Sequence, residues 1–407
     1  MNAELSELAS HCIRCGFCLE SCPTFLVTGE ETESPRGRIY LARGSLEGRL
    51  DWRQAAPHLD ACLGCRGCET ACPSGVQYGQ IVELAREEIA ARRAAPGLRL
   101  LLGMLTRPGV LRRLGALGRR LPGARMPRIL GLLFSNEPPV AGLPVAQWSG
   151  MLPPLDETLL MPITGQAFIL DGCAMGSLFP RVQEASARLL RRVGLAPKRL
   201  ASGCCGALHA HSGYVAQGAA MARRVLARLP ENDVLVATAA GCGSWLKEQA
   251  HGKRRVLDLS ELLHENGLGE ALKKAPGYWA VATYHDACHL AHAQGIRSQP
   301  RELITAIPGL TLLPMPESDL CCGSGGISNL THPSQAVALQ TRKLENAQAT
   351  GASLLIQGNP GCHLWLAPAA KARGLTVLHT AEALEAAFIG LEWFCDGAKQ
   401  TAEAERT

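Results

Sequence analysis

The sequence predicts an α+β chain: a mostly helical N-terminal module followed by a duplicated α/β domain rich in cysteine. Three observations carry this reading. A four-cysteine run closed by proline occurs twice, at Cys12–Pro23 and Cys62–Pro73. A longer cysteine pattern occurs twice between Cys173 and Cys362, its copies 115, 117 and 120 residues apart at successive positions. Around that second pattern, short apolar strands alternate with helical stretches.

The chain has 407 residues, which suggests two or three domains, and its 47% apolar content can form a core. Aromatics are only 4%, which argues against a base-stacking nucleic-acid platform, and a net charge of +5 is too slight to name a polyanionic partner. Seventeen cysteines, an odd number, dominate the reading. Met1–Ser10 carries Glu4 and Glu7 and has no apolar signal-peptide region. Without export, metal or redox chemistry is a better account of these thiols than a disulfide framework. The longest stretches free of acid and base, Leu200–Ala222 and Leu320–Thr341, are rich in Gly, Ser, His and Gln, so neither reads as a membrane span. The expected organisation is a two-cluster module at 1–93, a basic helical linker at 94–160, and cysteine-rich repeats at 161–275 and 276–407.

Each N-terminal run reads C-x2-C-x2-C-x3-C-P. This is the bacterial ferredoxin spacing for [4Fe–4S] clusters, in which three close cysteines wrap one cluster and the fourth reaches the other. The expected ligand sets are therefore Cys12, Cys15, Cys18 and Cys72 for the first cluster, and Cys62, Cys65, Cys68 and Cys22 for the second. Zinc sites usually separate their ligand pairs by a dozen or more residues, which disfavours zinc here. Between the runs, Ser34-Pro35 reads as a helix N-cap with proline at the first helical position. Arg36 and Arg38 follow, either offsetting cluster charge or facing solvent. After Pro73, the four-residue repeat Ile81, Ala85, Ile89 predicts an amphipathic helix.

From Pro96 to Asn136 there are eight arginines (Arg99, Arg107, Arg112, Arg113, Arg119, Arg120, Arg125, Arg128) and no acid. The leucines among them suggest short amphipathic helices. Two readings compete: a surface for anionic lipid or a partner subunit, and a packed connector with its arginines in water. Pro138, Pro139, Pro144, Pro153 and Pro154 predict an extended run beyond it.

The repeat holds Cys173, Cys204-Cys205-Gly206 and Cys242 in one copy, and Cys288, Cys321-Cys322-Gly323 and Cys362 in the other. Predicted strands at Ala167–Leu170, Val234–Ala237, Trp279–Thr283 and Leu354–Gln357 precede the outer cysteines. Helices are expected at Val182–Val193 and Ala336–Ala349. The thiols then fall at the carboxyl ends of strands, where open α/β sheets place ligands. Each four-thiol set is a candidate for an additional iron–sulfur or zinc centre. His285, His289 and His292 crowd Cys288 and could ligate metal, but they lack first-copy counterparts, which points instead to helix-face or supporting positions. Cys395 has no counterpart and reads as a packing thiol.

With both patterns in hand, the chain resembles the iron–sulfur subunit of bacterial glycolate oxidase (glycolate dehydrogenase). The resemblance rests on Cys12–Pro23, Ser34-Pro-Arg-Gly-Arg-Ile-Tyr-Leu41, Cys62–Val76, Gly203-Cys-Cys-Gly206, Ser318-Asp-Leu-Cys-Cys-Gly-Ser324 and Thr331-His-Pro333. The fused order of two clusters and two Cys-Cys-Gly repeats is also shared with the small subunit of anaerobic glycerol-3-phosphate dehydrogenase and with heterodisulfide-reductase-like proteins. In the latter group the repeat ends Cys-x-x-Cys; here Trp245 and Trp365 stand at the last position. The resemblance implies FAD-binding partner subunits that oxidise glycolate to glyoxylate, and a membrane quinone as acceptor. It also implies a cytoplasmic protein, peripheral on the inner membrane. No Gly-x-Gly-x-x-Gly between a strand and a helix and no Walker A motif is present, so the expected role is electron transfer, with no catalytic residue on this chain. The alternatives are the equivalent subunit of a glycerol-3-phosphate or lactate dehydrogenase, and a thiol–disulfide enzyme.

Overall fold

The computed structural model describes residues 2–93, 95–120, 145, 147, 152–157 and 160–395. The N-terminal part is helical: Ala3–Ser10, Pro23–Thr28, Pro35–Leu46, Trp52–Asp60, Gly67–Thr70 and Tyr78–Arg92. Ser34 caps the third of these, its Oγ accepting from the Gly37 amide at 3.0 Å, with Pro35 at the first helical position. Ile81, Ala85 and Ile89 form the buried stripe of the last helix, packed with Leu5, Ala9, Ile39, Ala42 and Leu59. The cysteine runs are the loops that this small helical core holds in place.

The basic stretch forms two proline-initiated helices, Pro96–Leu105 and Pro108–Arg120. The second buries Leu111, Gly115 and Gly118 while Arg112, Arg113, Arg119 and Arg120 stay exposed. Its start is tied to the first repeat, where the Ser177 hydroxyl donates to the Pro108 carbonyl at 3.1 Å. Arg125, Arg128, Pro138, Pro139 and Pro144 lie outside the described residues.

The repeats fold as two lobes of the same topology. The first lobe has β1 (Gly165–Leu170), β2 (Leu195–Leu200), β3 (Val234–Ala237) and β4 (Arg255–Asp258), all parallel in the order β2-β1-β3-β4. The second has β5 (Ala280–Tyr284), β6 (Leu310–Leu313), β7 (Leu354–Gln357) and β8 (Thr376–His379), in the order β6-β5-β7-β8. The sequence anticipates the four central strands β1, β3, β5 and β7. It does not announce the four edge strands, three of which are only four residues long. β2 even carries Pro197, Lys198 and Arg199, which only an edge tolerates. The order reverses between β1 and β3, and again between β5 and β7. Parallel sheets open a crevice at the carboxyl end of such a reversal.

One apolar core joins the lobes, with Ile169, Val236, Leu189, Ile304, Ile356 and Leu384 among its fully buried members. Helix Pro180–Arg192 of the first lobe packs on helix Thr380–Ile389 of the second, and Leu259–Glu265 packs on Ser298–Thr305. Buried charge is matched at this seam: Glu385 receives Arg188 Nε at 2.6 Å and Arg192 Nε at 2.9 Å. Removing either sign would strand the other in the interior.

His379 also crosses the seam. Its Nε2 lies 2.9 Å from the Thr238 carbonyl, and its Nδ1 accepts from the Ala381 amide at 3.1 Å. Both ring nitrogens are thus satisfied in the neutral form alone. Burial holds its pKa at about 4, below the unfolded value of about 6.5. The unfolded chain therefore takes the proton first as pH falls. This stabilisation is complete above pH ~6.5 and is lost progressively towards pH ~4, with a slope of about 1.4 kcal/mol per pH unit for this residue. We expect the unfolding midpoint to fall across that window, and His379→Asn, which preserves a capping side chain, to flatten the fall. An identical pH profile in the variant would remove His379 as the cause.

Candidate metal centres

The two N-terminal cysteine runs adopt one backbone shape. Arg14 and Gly16 flank Cys15 with positive φ, and Gly64 and Arg66 flank Cys65 in the same way. A left-handed residue on each side of the second cysteine curls the loop around a hollow and turns amides inward, a concavity suited to anionic sulfur. The Gly64 amide donates to Cys62 Sγ at 3.4 Å, and the Val76 amide to Cys72 Sγ at 3.5 Å.

Two adjoining cavities result. One is lined by Cys12, Cys15, Cys18 and Cys72. The other is lined by Cys22, Cys62, Cys65 and Cys68. Pro35, Cys68 and Tyr78 line both, so they form the shared wall. The two environments differ. Cys15 is exposed and sits between the exposed side chains of Ile13 and Phe17, whereas Cys22, Cys62, Cys65 and Cys68 are all buried. The first set of thiols is the more exposed and the second the more buried.

Arg36 and Arg38 separate in role. Arg36 lines the outer cavity and pairs with Glu31 at 2.6 Å. Arg38 is buried against the inner one and donates to Thr24 Oγ1 at 2.9 Å, the His58 carbonyl at 2.6 Å and Glu33 at 2.6 Å. Burial opposes its charge, yet Tyr78, Cys62, Cys22 and Glu33 hold its pKa above the ordinary value. Burial likewise pushes the Cys68 and Cys65 thiols up. Such thiols give up their protons when a metal takes their place.

Each repeat gathers its four thiols. In the first lobe Cys173, Cys204 and Cys205 lie near enough to perturb one another's thiols, and Cys205 Sγ lies 3.1 Å from Cys242 Sγ. In the second, Cys288, Cys321 and Cys322 are neighbours in the same way, and Cys322 Sγ lies 3.2 Å from Cys362 Sγ. The glycine after each cysteine pair has a steric origin. Gly206 (φ +92°) and Gly323 (φ +90°) are left-handed. A Cβ there would come within 2.3 Å of the Gly218 carbonyl oxygen and 2.5 Å of the Ala336 carbonyl oxygen, respectively. The loop is thereby pressed onto the helix that follows. Trp245 packs in one cluster with Cys205 and Cys242, and Trp365 with Cys322 and Cys362; neither indole N–H has a hydrogen-bond partner.

Of the three histidines near Cys288, two hold the second lobe against the N-terminal loops. His289 Nε2 is 3.0 Å from the Gly64 carbonyl, and His292 Nδ1 is 3.0 Å from Thr70 Oγ1. These are the supporting positions expected. His285 differs: its ligand atom and those of Cys322 and Cys362 all lie within 4.8 Å of one another. The sequence signal for it was adjacency to Cys288, which a search for repeated residues discards. Tyr78 and Lys343 carry no motif signal. Tyr78 Oη is 3.7 Å from Cys62 Sγ, and Lys343 is a buried ammonium. Cys395 is half-buried, outside the repeat sites.

The inner cavity adjoins the second lobe directly, with Leu63 and Cys65 in one packed cluster with Cys321, Leu339 and Cys288. Residues 8–76 match the 4Fe-4S dicluster domain family, and residues 167–247 and 282–367 each match the Cysteine-rich domain family. The glycolate oxidase iron–sulfur subunit of Escherichia coli K12 is 33% identical, over 94% of this chain and 95% of that one. This chain belongs to the glycolate oxidase iron–sulfur subunit family. A probable member from Bacillus subtilis 168 is 31% identical over 90% of both chains. A subunit of the CoM/CoB fumarate reductase of Methanothermobacter marburgensis is 27% identical, over 93% of this chain and 72% of that one. A hypothetical protein from Helicobacter pylori shares the fold at a TM-score of 0.53 and 10% identity, covering 95% of this chain and 73% of that one.

Membership makes this chain an iron–sulfur, electron-transferring subunit of an oxidoreductase. Among the described residues, no helix is long and apolar enough to cross a membrane. The steric account of the Cys-Cys-Gly turn is directly testable. Gly323→Ala should lower stability by about 1–3 kcal/mol, measured by denaturant unfolding, whereas Gly351→Ala, whose Cβ meets nothing within 4 Å, should lose less. Equal losses would mean that the approach to Ala336 is immaterial.

Proposed function

We propose that this chain is the electron-transfer subunit of a complex that oxidises glycolate to glyoxylate. FAD-binding partner subunits carry the oxidation, and the electrons leave towards a membrane quinone. One observation carries the reading: two thiol-lined hollows share a wall, one with partly exposed thiols and one with buried thiols beside a third set. Bound in those hollows, [4Fe–4S] clusters supply one-electron transfer. The chain's own residues do the rest. Cys12, Cys15, Cys18 and Cys72 hold the outer cluster; Cys62, Cys65, Cys68 and Cys22 hold the inner one. Arg38 supplies a buried positive charge beside the inner set. The repeats carry at least one additional centre on Cys173, Cys204, Cys205 and Cys242 or on Cys288, Cys321, Cys322 and Cys362. The unpartnered indole N–H groups of Trp245 and Trp365 support that reading, being buried donors without an acceptor beside the thiols.

Full-length relatives named for glycolate oxidase support glycolate over glycerol-3-phosphate or lactate as the substrate of the complex. The exposed arginines of helix Pro108–Arg120 support attachment to the cytoplasmic face of the inner membrane, where anionic lipid would attract them.

The crossed ligand sets predict that Cys22→Ser damages the cluster held by Cys62, Cys65 and Cys68, leaving the outer one more nearly intact by EPR. Selective loss of the outer signal would reverse the assignment. For the function, the chain would be purified anaerobically with its flavoprotein partners and exposed to glycolate, glycerol-3-phosphate or lactate in turn. We expect glycolate alone to reduce the iron–sulfur signals, and only with the flavoproteins present. Reduction by one of the other substrates in place of glycolate would overturn the reading.

A further inference from the structure

We propose that the second lobe holds an iron centre in which Nε2 of His285 is a ligand beside the thiolates of Cys322 and Cys362, with Cys288 and Cys321 completing the donor set. The inference rests on the reading that the repeats carry an additional centre; it assigns that centre a lobe and a nitrogen ligand.

His285 is fully buried. Its Nδ1 lies 3.1 Å from the Ser318 carbonyl oxygen, which can only accept, so Nδ1 carries the hydrogen and Nε2 presents its lone pair. Nε2 has no hydrogen-bond partner. A buried acceptor left in this state is unfavourable. Its ring sits within 4.8 Å of both Cys322 Sγ and Cys362 Sγ, and a coordinated metal would satisfy it. One ring nitrogen fixed by a carbonyl and the other unpartnered, on a ring beside two thiols, suits a metal-binding histidine.

The surroundings agree. The same Ser318 carbonyl accepts from the Asp286 amide at 3.0 Å and from Lys343 Nζ at 3.2 Å. Lys343 is only 1% exposed, a buried cation beside a set of anionic ligands. The first lobe has no such histidine. Ala167 pairs with Val234 as Ala282 pairs with Leu354, so the register places Leu170 where His285 stands. The ligand set therefore breaks the repeat symmetry at one position. Thiolate and imidazole suit zinc and iron alike. Cys321 packs against Cys65 of the inner N-terminal set, and a redox-inert zinc ion would serve nothing at that contact, which favours iron.

The test uses the full chain, isolated anaerobically and reconstituted with ferrous iron and sulfide. Iron and zinc are counted, and the paramagnetic centres are examined by pulsed EPR for nitrogen coupling. Two [4Fe–4S] clusters account for about eight iron. We expect more than eight in the wild type, and a nitrogen coupling from a third centre. His285→Leu, which installs the side chain the first lobe already has, should lower the count without dropping below eight. His285→Cys should retain the iron and lose the nitrogen coupling. Thermal unfolding of both variants checks that the lobe is folded. Excess iron lost in Cys322→Ser but kept in His285→Leu would overturn the histidine ligand alone, as would zinc in place of the excess iron. A wild-type count of eight, unchanged in Cys322→Ser and Cys205→Ser, would overturn the additional centre itself.

Discussion

The packing of Cys321 on Cys65 is the contact on which the arrangement depends. It brings a loop of the second lobe against the inner N-terminal cysteine loop, although more than 200 residues separate them in sequence. Polar links hold the joint in register. Arg86 donates to the carbonyls of Leu59 at 3.1 Å and Asp60 at 3.0 Å and reaches the His211 carbonyl at 2.7 Å. His211 Nδ1 lies 2.7 Å from Glu83, and Arg66 pairs with Glu248. Both lobes are thus fastened to the last helix and the second cysteine loop of the N-terminal part. Weakening the joint would separate the second-lobe thiols from the inner N-terminal set.

Charge explains much of the interior. Thiolates and iron–sulfur clusters bring negative charge into places where few waters reach, and such charge needs nearby donors or cations. Arg38 serves the inner N-terminal hollow, and Lys343 lies beside the second-lobe thiols. The Gly64 amide, which donates to Cys62 Sγ, adds a neutral donor. The surface hollow at Cys12–Cys18 has less need of such help, since water is close and Arg36 faces solvent and Glu31.

The duplicated lobes show how far a repeat can drift while keeping its frame. Strand order, register, the cysteine ladder and the strained glycine after each cysteine pair are common to both. The capping boxes also correspond, Asp258 with Glu261 in one lobe and His379 with Glu382 in the other. The differences cluster where the second lobe meets the N-terminal part: His285 in place of Leu170, a buried Lys343, and His289 and His292 bound to the cysteine loops.

The cysteine chemistry, the duplication and the family were all legible in the order of residues. Thiol spacing constrains loop geometry directly, and repeated offsets survive without knowledge of contacts. The Ser34 cap, the Ile81–Ala85–Ile89 stripe and the four central strands were legible too, because those depend on local periodicity. Other features came from packing alone. The edge strand β2 carries Pro197, Lys198 and Arg199 in place of an apolar run, and β4, β6 and β8 are only four residues long. Arg38 and Arg36 share a motif and a helix, and only their surroundings in the folded chain bury one and expose the other. His285 shows the same limit most clearly. Its partners Cys322 and Cys362 are 37 and 77 residues away, brought together by three parallel strands whose ends converge. No spacing rule reaches across such crossovers, because the distance between ligands there is set by the sheet and not by the chain.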